Sequence, residues 1–232
     1  MSGLFITGTD TEIGKTFVSS LLIKLLTEEN LQVAGMKPVA SGANCIDGEL
    51  KNDDALSLIE ASNVDIEYKN VNPYVFEPAV SPHIAAEQAG IEISLNEIKK
   101  CFEQLENKSD VVVVEGVGGW YAPITCHTTV ADLAETLNLP IILVVGLRLG
   151  CLNHALLTAQ AIRQSSLSIA GWIANHVEKD FSCAEKNIST LKHYLNDFPF
   201  LGSVPYQTNL NNISHHDSLN KQILIHKLSL KK

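Results

Sequence analysis

No two of the five cysteines stand close enough in sequence to act together. Cys45, Cys101, Cys126, Cys151 and Cys183 are scattered, odd in number and nowhere spaced as CxxC, which argues against both a disulfide framework and a zinc site. Such usage suits a reducing cytosol, so a cytoplasmic protein is expected. The N-terminus has no basic segment running into an apolar stretch and cleavage site, and the longest apolar runs fall well short of the ~20 residues that span a bilayer. Neither export nor a membrane partner is expected. Positive charge is scarce too, with 17 Lys and Arg against 26 Asp and Glu and a formal charge of −9. No dense basic block or aromatic-interleaved basic stripe offsets this, so nucleic acid is a poor partner. The eight histidines show no metal-ligand spacing; His215 and His216 lie in the tail, and His127 reads as structural or solvated.

What the chain does have is patterned apolar sequence. With 45% apolar and 19% charged residues, positions 1–232 fit one domain with a substantial core. Short apolar runs at Leu4 to Ile6, Gln32 to Met36, Val111 to Val114, Ile141 to Val145, Ile169 to Ala174 and Phe200 to Gly202 read as strands. Those at 111 and 141 are almost pure Val, Ile and Leu, as in central parallel strands covered on both faces. Helical spacing separates them, at about 14–29, 53–61, 82–89, 95–105, 129–137, 153–164 and 183–194. In the first, Val18, Leu21, Leu22, Leu25 and Leu26 form one apolar stripe. Alternation of this kind predicts an α/β fold, a mostly parallel, doubly wound sheet with helices on both faces, whose ligands bind beyond the carboxyl ends of the strands. The tail after Gln207 is polar and weakly patterned, and is expected to be peripheral.

The loops after the predicted strands hold the candidate chemistry. "GTDTEIGKT", Gly8 to Thr16, joins a strand to a helix like a phosphate loop, but five residues rather than four separate Gly8 from Gly14. A plain strand-to-helix turn is the alternative. In the phosphate-loop reading N–H groups at the helix start face the anion, Lys15 reaches the phosphates, and the Thr16 hydroxyl ligates magnesium. Val111 to Val114 delivers Glu115 to a strand end ahead of Gly116-Val117-Gly118-Gly119; Glu115 is either a magnesium ligand or a solvated cap. A dinucleotide GxGxxG fails there, because position 121 is Tyr121. Lys37, in Met36-Lys37-Pro38, is either a surface charge or a second cation for a transferring phosphoryl group. Asn52-Asp53-Asp54-Ala55 offers carboxylates at a helix start, for capping or for magnesium.

Taken in order, GTDTEIGKT at 8, MKPVASG at 36, NDDA at 52, SPHIAA at 81, VVVVEGVGGWYAPI at 111, LGCLNHALLTAQAI at 149 and IAGWIANHV at 169 resemble the dethiobiotin synthetase family over residues 3 to about 206. The enlarged loop is the family's own form of the P-loop, so a P-loop NTPase-like fold is implied. Also implied is the closure of a ureido ring from 7,8-diaminononanoate, CO2 or bicarbonate, and ATP, through a carbamate and a carbamic-phosphoric anhydride, as a step of biotin biosynthesis. Catalytic roles then fall to Lys37, Lys15 and Thr11, and magnesium to Thr16, Asp54 and Glu115. ATP contacts fall to Glu12, Ile13, Gly14, Lys15, Thr16, Phe17, Asp54, Glu115, Gly116, Val117, Gly118, Asn175, which reads the adenine edge, His176, Val204, Pro205 and Tyr206. Thr11 and Ser41 touch the carbamate or diamine. Gly150, Cys151, Leu152 and Asn153, contributed by a neighbouring subunit, bind the substrate carboxylate through free N–H groups at a helix start, which implies a homodimer. A plain helix N-cap at Asn153 is the alternative for this segment, and both can hold at once.

Two rivals share parts of this pattern. A ParA/MinD-like nucleotide-switch ATPase has the same fold, but it carries an extra lysine early in its loop, and none lies between Gly8 and Gly14. An amidating synthetase of the cobalamin pathway is a chemical cousin that usually brings a glutamine-hydrolysing domain with a nucleophilic cysteine, for which 232 residues leave no room.

Overall fold

The structure, a computed structural model, describes residues 3–206 and 219–220. Its centre is a six-stranded parallel sheet in the order β10-β9-β8-β1-β7-β2. The strands are β1 (Gly3–Gly8), β2 (Val33–Met36), β7 (Val111–Glu115), β8 (Ile141–Leu147), β9 (Ile169–His176) and β10 (Phe200–Val204). Every residue of β1, β7 and β8 is buried, which is why these strands read as unbroken apolar runs. The pleat sorts their side chains into two cores. Phe5, Val112 and Val114 point to one face, with residues of α4 (Pro82–Ala89), α5 (Leu95–Glu106), α6 (Val130–Leu137), α7 (Cys151–Gln164) and α8 (Ala184–Tyr194). Leu4, Ile6, Val111 and Val113 point to the other, covered by α1 (Lys15–Thr27) and by Leu58 and Ala61 of α2 (Asp53–Ala61).

Between residues 39 and 76 the chain builds structure that short-range periodicity does not announce. β3 (Val39–Ser41) pairs in parallel with β6 (Tyr74–Phe76), and β4 (Asn44–Ile46) pairs antiparallel with β5 (Glu49–Lys51). The turn of that hairpin is Asp47-Gly48, both at positive φ (51° and 83°), the Asp-Gly signal of a two-residue hairpin. A single turn, α3 (Tyr68–Val71), precedes β6. One further boundary differs from expectation. α7 starts at Cys151 with Gly150 as its N-cap at φ 93°, so Asn153 lies inside the first turn and is not the cap. The tail, expected to be peripheral, falls mostly outside the described residues; where it is described, Leu219 is buried and bridges Gly202 antiparallel to β10.

Parallel pairing sends the loops after β1, β2, β7, β8 and β9 to the same side. Register then decides what meets there. Met36 pairs with Val114, and Ile6 pairs with Glu115, so Lys37 emerges level with Glu115, beside the loop that follows Gly8.

Candidate active site

The phosphate loop is held by its backbone. Thr9 N–H donates to the Val144 carbonyl (3.1 Å), Glu12 and Gly14 adopt positive φ (56° and 79°), and α1 begins directly after Gly14. A side chain at Gly14 would run into the Asn175 amide, so glycine is required there for space as well as conformation. Asn175 Nδ2 donates to the Ile13 carbonyl (2.8 Å), and Ile13 is buried in the core beneath the loop. Lys15 folds over the loop crown, its Nζ donating to the Asp10 carbonyl (2.8 Å). Burial, then repulsion from Lys37, lowers its ammonium to about 8.

Lys37 is the second cation and is almost completely buried, at 3% exposure. Its Nζ lies 2.5 Å from Glu115 Oε1 and 3.0 Å from Asp54 Oδ2. Burial alone would depress this ammonium, but Glu115 and Asp54 outweigh it and hold Lys37 above the usual lysine range. Burial likewise pushes the Asp54 carboxyl up, and Lys37 more than offsets that, leaving it below the usual carboxylate range. Thr16 Oγ1 donates to the same Glu115 Oε1 (2.9 Å). Asn52 Oδ1 caps α2 through the Asp54 and Ala55 N–H groups, and the Asp54 carboxylate turns toward Lys37.

These groups line one cavity of about 480 Å³, with Thr11, Glu12, Gly14, Lys15, Thr16, Phe17, Lys37, Ser41, Asp54, Glu115, Val117 and Gly118 on its walls, and Ala40 as a lining residue the sequence did not mark. That volume is ordinary for a small-molecule site. A magnesium ion fits the donors present. Among the described residues Glu115 Oε2 is buried without a hydrogen-bond partner. Two carboxylates and a hydroxyl are hard oxygen donors that leave room for water and phosphate ligands.

Other expected contacts lie off this cavity. Gly116 donates its N–H to the Ile6 carbonyl (2.9 Å). His176 Nε2 meets Ser203 Oγ (3.1 Å), the Val204 side chain is fully buried in the core, and Tyr206 is exposed. Gly150 to Asn153 do not reach it either. The Cys151 side chain is buried, and its N–H, expected to be free, donates to the Arg148 carbonyl (3.0 Å); in the tight turn formed by Gly150 that donor is already satisfied.

Sequence reasoning missed two supporting clusters. Asp10 Oδ1 accepts from Thr11 N–H (2.8 Å) while its Oδ2 pairs with Arg148 (2.5 Å), with His154 Nδ1 at 4.0 Å, so the loop crown is braced against the β8–α7 junction. Tyr68 and Asn72 join Lys37 to the start of α2. No spacing marks either cluster; the one cue was Asn52, a favoured N-cap residue.

A family model described as an AAA domain matches residues 2–214. The ATP-dependent dethiobiotin synthetase BioD of Aromatoleum aromaticum is 48% identical over 202 residues, covering 87% of this chain and 89% of that protein. The protein of the same description from Nitrosospira multiformis is 43% identical, with 89% of each covered. Among solved structures, a ParA family ATPase from Chlorobium tepidum superposes with TM-score 0.58 at 12% identity over 99% of both chains. The cell division protein MinD of Aquifex aeolicus gives 0.56 at 15% over 91% of this chain and 85% of its own. At such identities these two speak for the P-loop NTPase fold alone. The sequence relatives go further: the chain belongs to the ATP-dependent dethiobiotin synthetase family.

Proposed function

We propose that the chain is the ATP-dependent ligase that closes the ureido ring of dethiobiotin from 7,8-diaminononanoate, CO2 or bicarbonate, and ATP. The observation that carries this reading is the pair of lysines at one cavity: Lys15 in the loop crown and Lys37 buried against Glu115 and Asp54. One amine of the diamine attacks CO2 and loses a proton, giving a carbamate. A carbamate oxygen attacks the γ-phosphorus and ADP leaves. The second amine then attacks the anhydride carbon, loses a proton and expels phosphate, closing the ring. Negative charge gathers on the γ-phosphoryl oxygens and the carbamate, where preorganised cations lower the barrier. Lys15 serves the phosphates, Lys37 the oxygens exchanged between carbamate and phosphorus, and the Thr11 and Ser41 hydroxyls orient the carbamate or diamine. Thr16, Asp54 and Glu115 would hold the magnesium, whose chemistry is charge neutralisation on the β- and γ-oxygens.

The adenine is assigned to the Asn175-His176 end of β9 and the Val204-Pro205-Tyr206 end of β10, adjacent parallel strands. A homodimer is part of the proposal. Gly150, Leu152 and Asn153 lie away from their own cavity, and Leu149 and Leu157 on this side are 93% and 63% exposed, which supports their serving a neighbour's substrate carboxylate. The free state of all five cysteines supports a cytoplasmic setting, and no helix among the described residues is long and apolar enough to cross a membrane.

The test supplies magnesium, ATP and bicarbonate with or without 7,8-diaminononanoate and follows ADP and the cyclic urea. Diamine-dependent ADP release with urea formation is expected; diamine-independent release without urea would sink the reading. Lys37→Gln and Lys15→Gln should each lower turnover by ~10²–10³, the usual loss for one preorganised charge contact.

A further inference from the structure

Lys37 and Asp54 meet at 3.0 Å although they start from different parts of the chain, and one hydrogen-bonded relay ties their backbones together. Asn52 Oδ1 accepts from the Asp54 N–H (3.1 Å). The Asn52 N–H donates to the Tyr68 hydroxyl (2.8 Å), the hydroxyl donates to Asn72 Oδ1 (2.8 Å), and Asn72 Nδ2 donates to the Lys37 carbonyl (2.7 Å). On its other side the Lys37 N–H donates to the Val71 carbonyl (2.9 Å).

The direction of every bond is forced. An N–H can only donate and a carbonyl can only accept, so the Asn52 and Lys37 backbones set the polarity from both ends. Because the hydroxyl accepts from Asn52, its proton must go to Asn72, which turns its oxygen to Tyr68 and its nitrogen to Lys37. Both asparagines are buried, at 6% and 2% exposure, so a broken link is costly and the relay admits one arrangement.

Resting on the reading above, we propose that Tyr68 is a positioning residue for the phosphoryl and ring-closing steps. It lines no part of the cavity; it acts by fixing the separation between the Lys37 peptide and the start of α2. That separation aims the Lys37 ammonium and the Asp54 carboxylate at one point. Fastening the small β3–β6 sheet is a second consequence of the same bonds, and a control isolates it. The Tyr74 hydroxyl, in β6, accepts from the Ser94 N–H (3.0 Å), and both rings pack against the same core. Tyr74→Phe therefore leaves the half-buried Ser94 N–H without its partner, whereas Tyr68→Phe leaves the Asn52 N–H and the buried Asn72 Oδ1 without theirs. Only Tyr68→Phe cuts the relay.

Calorimetric titration with ADP, with and without magnesium, reads the Asp54 side, and steady-state kinetics read the Lys37 side. For Tyr68→Phe the affinity gained from magnesium is expected to fall roughly fivefold or more. Its kcat should fall roughly tenfold, while KM for ATP rises by no more than the loss seen in the magnesium titration, the pattern of a contact only partly realised in the ground state. Tyr74→Phe, which loses one hydrogen bond to the two lost in Tyr68→Phe, should melt at or above the Tyr68→Phe temperature and keep both values. Wild-type behaviour of Tyr68→Phe in the magnesium titration, or equal losses in Tyr74→Phe, would overturn the inference. The titration needs no diamine, so it decides this point whichever second substrate the wild-type enzyme uses. A wild-type protein without diamine-dependent ADP release would count against the proposed function alone.

Discussion

Lys37→Met keeps the length and apolar stem of the side chain and removes its charge. Glu115 is 1% exposed; its Oε1 accepts from Lys37 Nζ (2.5 Å) and Thr16 Oγ1 (2.9 Å), and its Oε2 accepts from nothing among the described residues. In the variant a buried carboxylate keeps one hydroxyl bond and loses its contacting counter-charge, with the Lys15 ammonium left to act at longer range. Removing one partner of a buried pair costs about 3–5 kcal/mol. Asp54 adds little, since its side chain is 43% exposed and water screens it.

The middle of that range is about 4 kcal/mol. For a chain of this size, at about 2–4 °C per kcal/mol, the melting temperature should fall by ~8–16 °C at pH 7. Millimolar magnesium should recover more melting temperature in the variant than in wild type, because no ammonium competes for the Thr16, Asp54 and Glu115 oxygens. Melting curves at pH 7, in chelator and then in magnesium, check both points. A variant within ~2 °C of wild type at pH 7 in chelator would refute the view of Lys37 as a buried counter-ion. So would an equal magnesium shift in both proteins.

Much of the sheet is legible in the sequence because β7 and β8 are buried on both faces, and two-sided burial leaves only Val, Ile, Leu and Gly in most positions. Lys15, Thr16, Lys37 and Glu115 are legible for a related reason: each stands just beyond, or at the end of, such a run, where parallel strands put their ligands. What joins them is not legible. The Lys37–Glu115 contact depends on β2 pairing with β7 in the register Met36 to Val114, a long-range choice made by packing. The same holds for Asp10 with Arg148 and for Tyr68 with Asn72 and Asn52. β3 to β6 escaped because three-residue strands are too short to display a period of two, although Asp47-Gly48 carried its own turn signal. The N-cap of α7 was misplaced because Asn153 is the better capping residue by propensity, whereas Gly150 is the one able to take the left-handed turn.

Gly14→Ala, with φ 79° and the Asn175 amide where a Cβ would sit, should lose at least ~1–2 kcal/mol of stability, and calorimetry should detect no ADP binding at concentrations that saturate wild type. The Lys15 ammonium, lowered to about 8 in the free protein, will be raised by bound phosphates. Nucleotide binding should then take up ~0.7 proton at pH 8.5, and affinity should be flat below pH 8 and fall up to ~10-fold per unit above it; titrations in buffers of different ionisation enthalpy check the uptake. For the unliganded fold the sign is opposite: burying charged Lys15 is a cost fully present below about 8 and relieved as pH rises toward the unfolded value of ~10.4. Leu157→Glu tests the proposed dimer, since Leu157 is 63% exposed on α7 and a charge there costs a monomer almost nothing. The variant should sediment as a monomer at concentrations where wild type is dimeric, with an unchanged melting temperature in dilute solution. It should still bind ADP, because the loop from Gly8 to Thr16 is built within one chain, yet lose diamine-dependent turnover, because the segment 150–153 would have to come from the other. A dimeric variant would move the interface elsewhere, and a monomeric variant with full turnover would return the whole site to a single chain.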